Sequence, residues 1–359
     1  WAFKLPTSHL FIMFSINNYS KFPITSLPPE VIKMILQKVD WKTIYNLRLV
    51  SKYFNSFILT NLDTLPKPIM TSLSISSSYN SDGTICIEFF YLPKNEYTKV
   101  INTYIPKKNT KPKLNEIEGL LKRMNLKYLM HLEVTITGET ILFDILNKYF
   151  KNETIIDSLQ INIQKSPCFQ SFSSFIQKIR HVRYLWLNKL CFLSQSIPPD
   201  YTLPLIGFLN NLCLVECECT KFVNSKMITA LYRNNKNLKR ILVFSNCTDF
   251  EVKLIQYIGE KQYLCNGEKN YHSNCYVYLP LRKDMIFGRG MENYFPTNMY
   301  DISYPLEIDN TIIGVKECSR CATNCGVALC FRTPSYLNDT SCDSVFDRTL
   351  FIDDNFYLD

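Results

Sequence analysis

Glycine and histidine are scarce in this sequence, at 10 and 4 in 359 residues. The few glycines build no phosphate-cradling loop, and Gly288-x-Gly290 is too short to count as one. None of the histidines belongs to a nucleophile motif, so nothing here calls for catalysis and a non-catalytic protein is expected. No apolar run approaches the roughly 20 residues that span a bilayer, which argues against a membrane helix. Residues 1–24 read as an unstructured leader: Leu10 to Phe14 is too short for the apolar core of a secretion signal, and no small-residue cleavage site follows. Without secretion, the 14 cysteines read as reduced thiols acting as small hydrophobes in a cytoplasmic or nuclear protein. A basic stripe interleaved with aromatics is also missing, so no nucleic-acid partner is expected.

What is present is a packed, mixed-charge body. Apolar residues make up 46% of the chain and the net charge is +8, a composition of globular proteins and not of disordered ones. Charge is uneven: residues 94–151 carry 11 Lys or Arg against 6 acids, and residues 339–359 carry 6 Asp against Arg348. Ordinary solvated faces account for both.

Near the N-terminus, Pro28 and Pro29 sit at a helix start, where a missing amide hydrogen costs nothing. Glu30 places negative charge at the positive end of that helix. Ile32, Ile35, Leu36 and Val39 recur on one helical face. Asp40 can cap a second helix carrying Trp41, Ile44 and Leu47, and Ser51 a third carrying Phe54, Phe57 and Ile58. Three short helices cannot bury all these side chains among themselves, so the surplus apolar surface predicts a partner.

The order Leu27-Pro28-x-Glu30, then Ile35-Leu36, then Leu47-Arg48-Leu49-Val50-Ser51-Lys52-x-Phe54 resembles the F-box, the three-helix module that docks on the Skp adaptor of SCF ubiquitin ligases. Trp41 and Tyr53 are variations that the resemblance tolerates. It implies that Leu27, Pro28, Ile32, Ile35, Leu36, Leu47 and Val50 face the adaptor or support that face. It also implies a substrate-recognition subunit whose partners are the Skp adaptor, through it a cullin scaffold, and an unknown protein substrate. A non-degradative F-box scaffold for protein–protein interaction is the alternative.

A second signal is an internal repeat. The pattern apolar-x-x-L-x-L occurs at Leu129-x-x-Leu132-x-Val134, Ile156-x-x-Leu159-x-Ile161, Val182-x-x-Leu185-x-Leu187, Leu209-x-x-Leu212-x-Leu214 and Leu238-x-x-Ile241-x-Val243, in steps of 27, 26, 27 and 29 residues. Helical faces fall between them: Ile141, Leu142, Ile145, Leu146 and Tyr149; Phe169, Phe172, Ile176 and Ile179; Val223, Met227, Ala230 and Leu231. Period and alternation resemble leucine-rich repeats. Asn246-Cys247, and less closely Cys217 or Cys219, resemble the cysteine-containing subtype, whereas the first three repeats are degenerate. The expected fold is therefore α/β: a short three-helix F-box at 25–62, then an irregular leucine-rich-repeat solenoid with parallel strands on its concave face and helices on its convex face. Residues 63–128 read as a degenerate repeat or capping region, 129–260 as the repeats, and 261–359 as degenerate repeats, a C-terminal cap and an acidic tail.

Within the capping region, Leu73 and Ile75, then Asp82-Gly83, then Ile85, Ile87 and Phe89 signal a hairpin. Leu114, Ile117, Leu120, Leu121 and Met124 signal a helix, and Pro106 to Pro112 an exposed loop. Farther on, Tyr276 to Leu279, Tyr304 to Ile308 and Ile312 to Val315 read as strands.

In L-x-x-L-x-L strands the leucines point inward and the intervening residues face the other way. Stacking the five strands gives three columns: His131, Ser158, Tyr184, Asn211, Arg240; Glu133, Gln160, Trp186, Cys213, Leu242; and Thr135, Asn162, Asn188, Val215, Phe244. Tyr184, Trp186, Arg240, Leu242 and Phe244 are of the types enriched at binding hot spots and form the candidate substrate-binding strip, unless a C-terminal segment folds across it. Cys318, Cys321, Cys325 and Cys330, with His272 and Cys275 upstream, are the tightest cluster of potential metal ligands. Their spacing matches neither a zinc ribbon nor a RING, so neither a metal nor a cofactor is expected.

Overall fold

The computed structural model describes residues 24–79, 85–94, 99–105, 110–138, 141–152, 154–166, 168–192, 197–262, 274–281, 291–295, 299–304, 311–317 and 324–332. The chain divides into two compact units, Trp1–Lys67 and Pro68–Asp359. The leader expected at 1–24, the Asp82-Gly83 turn, His272 and the acidic tail lie outside the described residues, apart from Ile24.

In the first unit, helices α1 (Pro29–Leu36), α2 (Trp41–Val50) and α3 (Lys52–Thr60) start where the sequence places their caps. Pro28 and Pro29 open α1. Asp40 accepts hydrogen bonds from the amides of Lys42 and Thr43 at 3.0 and 3.1 Å, and Ser51 accepts one from the Phe54 amide at 3.2 Å. Ile32, Leu36, Ile44, Phe54, Ile58 and Leu65 form the core of this unit. Asp40→Ala is expected to cost it about 1 kcal/mol, read as a lower urea midpoint of the helical signal. The Thr43 hydroxyl, and after it the Thr43 amide, hold the Asp40 carboxyl below its ordinary 3.8. A carboxylate with a depressed folded pKa adds stability that is complete above its unfolded value and is lost as pH falls through its folded value. The Asp40 contribution therefore fades below pH 3.8, and Asp40→Asn, which keeps a capping oxygen, is expected to flatten that acid limb in a pH series of urea midpoints.

Among the described residues, the second unit is built on one sheet of twelve strands. In chain order they are β1 (Met70–Tyr79), β2 (Ile85–Pro93), β3 (Lys99–Ile105), β4 (Tyr128–Thr137), β5 (Thr154–Gln164), β6 (Ile179–Leu190), β7 (Asn211–Glu216), β8 (Arg240–Phe244), β9 (Cys275–Pro280), β10 (Asp301–Ser303), β11 (Thr311–Glu317) and β12 (Asn324–Arg332). Their order across the sheet is β10-β11-β12-β9-β8-β7-β6-β5-β4-β1-β2-β3. Among the described residues five α-helices accompany them: α4 (Thr110–Lys122), α5 (Leu142–Tyr149), α6 (Phe169–Lys178), α7 (Ser225–Asn234) and α8 (Glu251–Gln262). From β4 to β9 every strand pairs in parallel with the next. All five helices add buried residues to one core with the leucine face of the sheet, among them Ile117 of α4, Phe143 of α5, Phe172 of α6, Met227 of α7 and Leu254 of α8.

This is a mixed sheet and not the leucine-rich-repeat solenoid expected from the period. Both margins are antiparallel: β1, β2 and β3 form a meander, and β11 pairs antiparallel with both β12 and β10. The step from β6 to β7 has no helix among the described residues. Pro198, Pro199 and Pro204 forbid one there by removing amide donors and crowding the preceding turn. Phe192, Tyr201, Leu203, Leu205 and Leu209 of this connection are buried all the same, so an irregular segment closes the core in place of a helix. The hairpin of residues 73–89 is present as β1 and β2, with β3 added beyond it. Of the loop expected from Pro106 to Pro112, residues 106–109 lie outside the described residues, and 110–112 belong to α4, whose first turn accepts Pro112. Tyr276 to Leu279 lies in β9 and Ile312 to Val315 in β11; of the strand expected at Tyr304 to Ile308, Tyr304 follows β10 outside any strand and 305–308 lie outside the described residues.

Candidate functional site

Two surfaces carry the residues that the sequence singles out. The first belongs to the helical unit. On α1, Ile32 and Leu36 point into the core, which leaves Val31, Met34 and Ile35 outside, at the i, i+3, i+4 spacing of one stripe. On α2, Ile44 is the core residue. A residue five positions later is turned by about 140° at 100° per residue, so Leu49 faces away. Leu49 is 78% exposed, Val50 70% and Met34 66%. Side chains of this size left so open in so small a unit mark an interaction surface. The Arg48 guanidinium braces α2: its Nε donates to Asn55 Oδ1 at 3.1 Å and the group lies over the Tyr45 ring at 5.6 Å.

The seven predicted adaptor-binding residues divide by burial. Pro28, Ile35 and Val50 are exposed. Leu27 and Leu47 are half-buried against the core, and Ile32 and Leu36 are inside it, where they hold the exposed residues in place. Met34, Tyr45 and Leu49 are exposed apolar residues of this unit outside the predicted adaptor-binding set. Their signal was their angular distance from Ile32 and Ile44 on each helix.

The second surface is the side of the sheet opposite the helices. Its columns follow the register derived from the repeat: His131, Ser158, Tyr184, Asn211 and Arg240 are successive partners, as are Glu133, Gln160, Trp186, Cys213 and Leu242. Ser72 and Ser74 extend the columns at one end, Tyr276 and Tyr278 at the other. The third column breaks. Pairing of β6 with β7 shifts between Leu187 and Leu190, where Lys189 takes a positive φ of 52°. One extra residue on β6 bulges there, so Asn188 is not opposite Val215. It is buried and accepts a contact from the Cys213 thiol at 3.4 Å.

Chemistry changes along the columns. At the β1 end the side chains bond to one another: Ser74 Oγ donates to Glu133 Oε2 at 2.9 Å, Asn162 Nδ2 donates to Thr135 Oγ1 at 3.2 Å, and His131 Nδ1 lies 3.2 Å from Ser158 Oγ. At the other end Cys213, Val215, Leu242, Phe244, Tyr278 and Cys330 form an apolar cluster to which no described helix contributes. Tyr184 and Trp186 stand at the seam, stacked at 6.1 Å. Of the predicted strip, Tyr184, Trp186 and Arg240 are half-buried, and Leu242 and Phe244 are buried.

The expected cysteine cluster lies partly outside the described residues, which include neither Cys318 nor Cys321. Cys325 and Cys330 are five positions apart on β12 and so belong to opposite faces of the sheet. Cys330 joins the apolar cluster above, while Cys325 Sγ contacts the Lys316 carbonyl at 3.5 Å. These two thiols do not converge on one ion.

The match to known families is confined to the first unit: residues 24–63 match the F-box domain. No curated protein and no solved structure matches the chain. The three-helix unit is thus an F-box, and F-box domains generally bind the Skp adaptor.

Proposed function

We propose that this chain is the substrate-recognition subunit of an SCF-type ubiquitin ligase, with the F-box on the Skp adaptor, the adaptor on a cullin scaffold, and the side of the sheet opposite the described helices receiving the target protein. The F-box match at residues 24–63, coinciding with the exposed apolar side chains Met34, Leu49 and Val50, carries this reading. The chain then needs no chemistry of its own. It acts by proximity, holding a target beside a ubiquitin-charged enzyme, so that a bimolecular encounter becomes a local transfer. A cytoplasmic or nuclear location follows from that role.

For the target, the seam between polar and apolar halves is the proposed contact. Tyr184, Trp186 and Arg240 keep part of their surface accessible and are of the types that dominate interfaces. Leu242 and Phe244 are inside, so they set the shape beneath. The finer reading of the strand–helix unit as a diverged leucine-rich repeat rests on the sequence period alone.

The test is affinity capture with the proteasome blocked, followed by ubiquitination of the captured partner with reconstituted ligase. Ubiquitin transfer that requires the F-box is expected. A partner captured through the sheet but never modified would leave the chain as a non-degradative scaffold. Trp186→Ala with Arg240→Ala is expected to weaken capture by about 30-fold or more, on the scale of one interface hot spot, with adaptor binding unchanged. Undiminished capture would move target recognition elsewhere.

A further inference from the structure

Three thiols converge just beyond the C-terminal ends of β6 and β7. Cys191 directly follows β6, Cys217 directly follows β7, and Cys219 is two residues further on. Cys191 Sγ lies 3.4 Å from Cys219 Sγ, and Cys217 Sγ lies 2.8 Å from Cys219 Sγ. All three sulfur atoms fall within 4.8 Å of one another, and this is the one such group of potential metal ligands among the described residues.

Surroundings fix the cluster. The backbone around Cys191 and Cys217 is tied into the sheet, with the Cys217 amide donating to the Leu190 carbonyl at 3.0 Å and the Cys191 amide to the Ile163 carbonyl at 3.0 Å. Glu216, next to Cys217, accepts the amides of Phe222 and Val223 at 2.8 Å each, and its other oxygen accepts the Ser245 hydroxyl. That carboxylate pins both ends of the loop carrying Cys217 and Cys219. Thr220 Oγ1 sits 3.2 Å from Cys217 Sγ while accepting the Phe192 amide at 3.1 Å, which joins the two cysteine segments. Cys219 is exposed, so one side of the cluster faces solvent.

We propose that Cys191, Cys217 and Cys219 form a three-thiolate site for a soft divalent cation of the zinc class, with the solvent-facing fourth position taken by water or an external ligand. A zinc–sulfur bond of about 2.3 Å in tetrahedral geometry sets sulfur atoms about 3.8 Å apart. The separations of 2.8 and 3.4 Å from Cys219 are shorter than that, and rotation of the exposed Cys219 side chain would widen them to the tetrahedral spacing. Thiolate donors select zinc-class and copper(I) ions over hard cations such as magnesium or calcium. Pinned by Glu216 and Thr220, the donors are held near their binding geometry before any ion arrives. Binding needs loss of the thiol protons, so uptake releases protons and weakens at low pH. A metal here would tie the end of β6 to the loop after β7, where the β6–β7 connection has no helix among the described residues.

Cobalt(II) titration of the reduced, full-length protein tests this site. The wild-type chain is expected to bind about one equivalent more Co2+ than the Cys191→Ser, Cys217→Ser, Cys219→Ser triple variant, with a sulfur-to-cobalt charge-transfer band that Zn2+ abolishes. Losing a partner of a metal ligand typically costs about 10–100-fold in affinity, and losing a ligand itself is expected to cost about 100-fold. Cys219→Ser, at an exposed position, tests that cost without threatening the fold. Cys247→Ser, outside the cluster, is expected to leave the band unchanged. Equal cobalt binding by wild type and triple variant would overturn the site. So would recovery of the reduced-buffer protein chiefly with a Cys217–Cys219 disulfide, which consumes two of the donors.

Discussion

Leu49→Asp combined with Val50→Asp is expected to reduce Skp-adaptor affinity by at least about 100-fold, through loss of two interface anchors worth about 2 kcal/mol each. Both side chains are mostly exposed, at 78% and 70%, so the F-box should fold as before. Surface changes of this kind usually stay within about 0.5 kcal/mol. A carboxylate at either position would be desolvated against an apolar partner without a counter-charge, which adds to the loss. Titration calorimetry with purified adaptor gives the affinity, and thermal melting followed by circular dichroism checks the fold. Affinity within tenfold of wild type, in a variant that melts normally, would exclude Leu49 and Val50 from the docking surface. Ile32→Asp is the contrasting case. Its side chain is fully buried, so it should lose binding by unfolding the unit, with the melt and the affinity changing together.

Phe172→Ala is expected to destabilise the second unit by about 3–5 kcal/mol, a large part of the stability of a typical domain. Phe172 on α6 has no exposed surface. Its ring lies 5.5 Å from Phe143, 5.3 Å from Phe192 and 6.0 Å from Phe222. It thus joins α5, α6 and the irregular connection after β6. Because that connection has no described helix of its own, the vacated space is bordered by three rings that cannot all move inward. Loss of edge-to-face contact with Phe143 and Phe222 adds to the loss of buried area. Chemical denaturation followed by tryptophan fluorescence is the measurement, since Trp186 lies in the sheet. A cost below about 1 kcal/mol would mean that the aromatic cluster repacks freely.

Much of the middle of the sheet was legible in the sequence. Five leucine-patterned hexamers at nearly constant spacing determine which residues stand side by side. The two columns through Tyr184 and Trp186 followed because alternation admits no other side for them. The third column failed at Asn188, since a one-residue bulge at Lys189 leaves no mark in an apolar pattern. The lack of a helix among the described residues after β6 was visible as Pro198, Pro199 and Pro204 but was overshadowed by the repeat. The margins were not legible for a different reason. Alternation in Ile312 to Val315 shows a strand but carries no information on its partner, and β12 pairs with β9 across a separation that no local rule covers. In the F-box, the caps at Asp40 and Ser51 were readable, as was the need for a partner. Which apolar residues stay outside depended on how three helices share one small core. Burial of Leu242 and Phe244 had the same character: column membership is a matter of register, while access depends on what packs nearby.

The position of β12 has a consequence for how the protein is made. It is the last described strand in the chain, yet in the sheet it lies between β9 and β11. During synthesis β10 and β11 leave the ribosome first and find no seat, because the edge offered by β9 is reserved for a segment not yet translated. The sheet can grow from β4 through β9 in step with elongation and then must wait. Only when residues 324–332 emerge can three strands lock on together, the final one first. A chain halted just before Asn324 would therefore lose not one strand but three, and would present β9 as a bare, hydrogen-bonding edge to its neighbours.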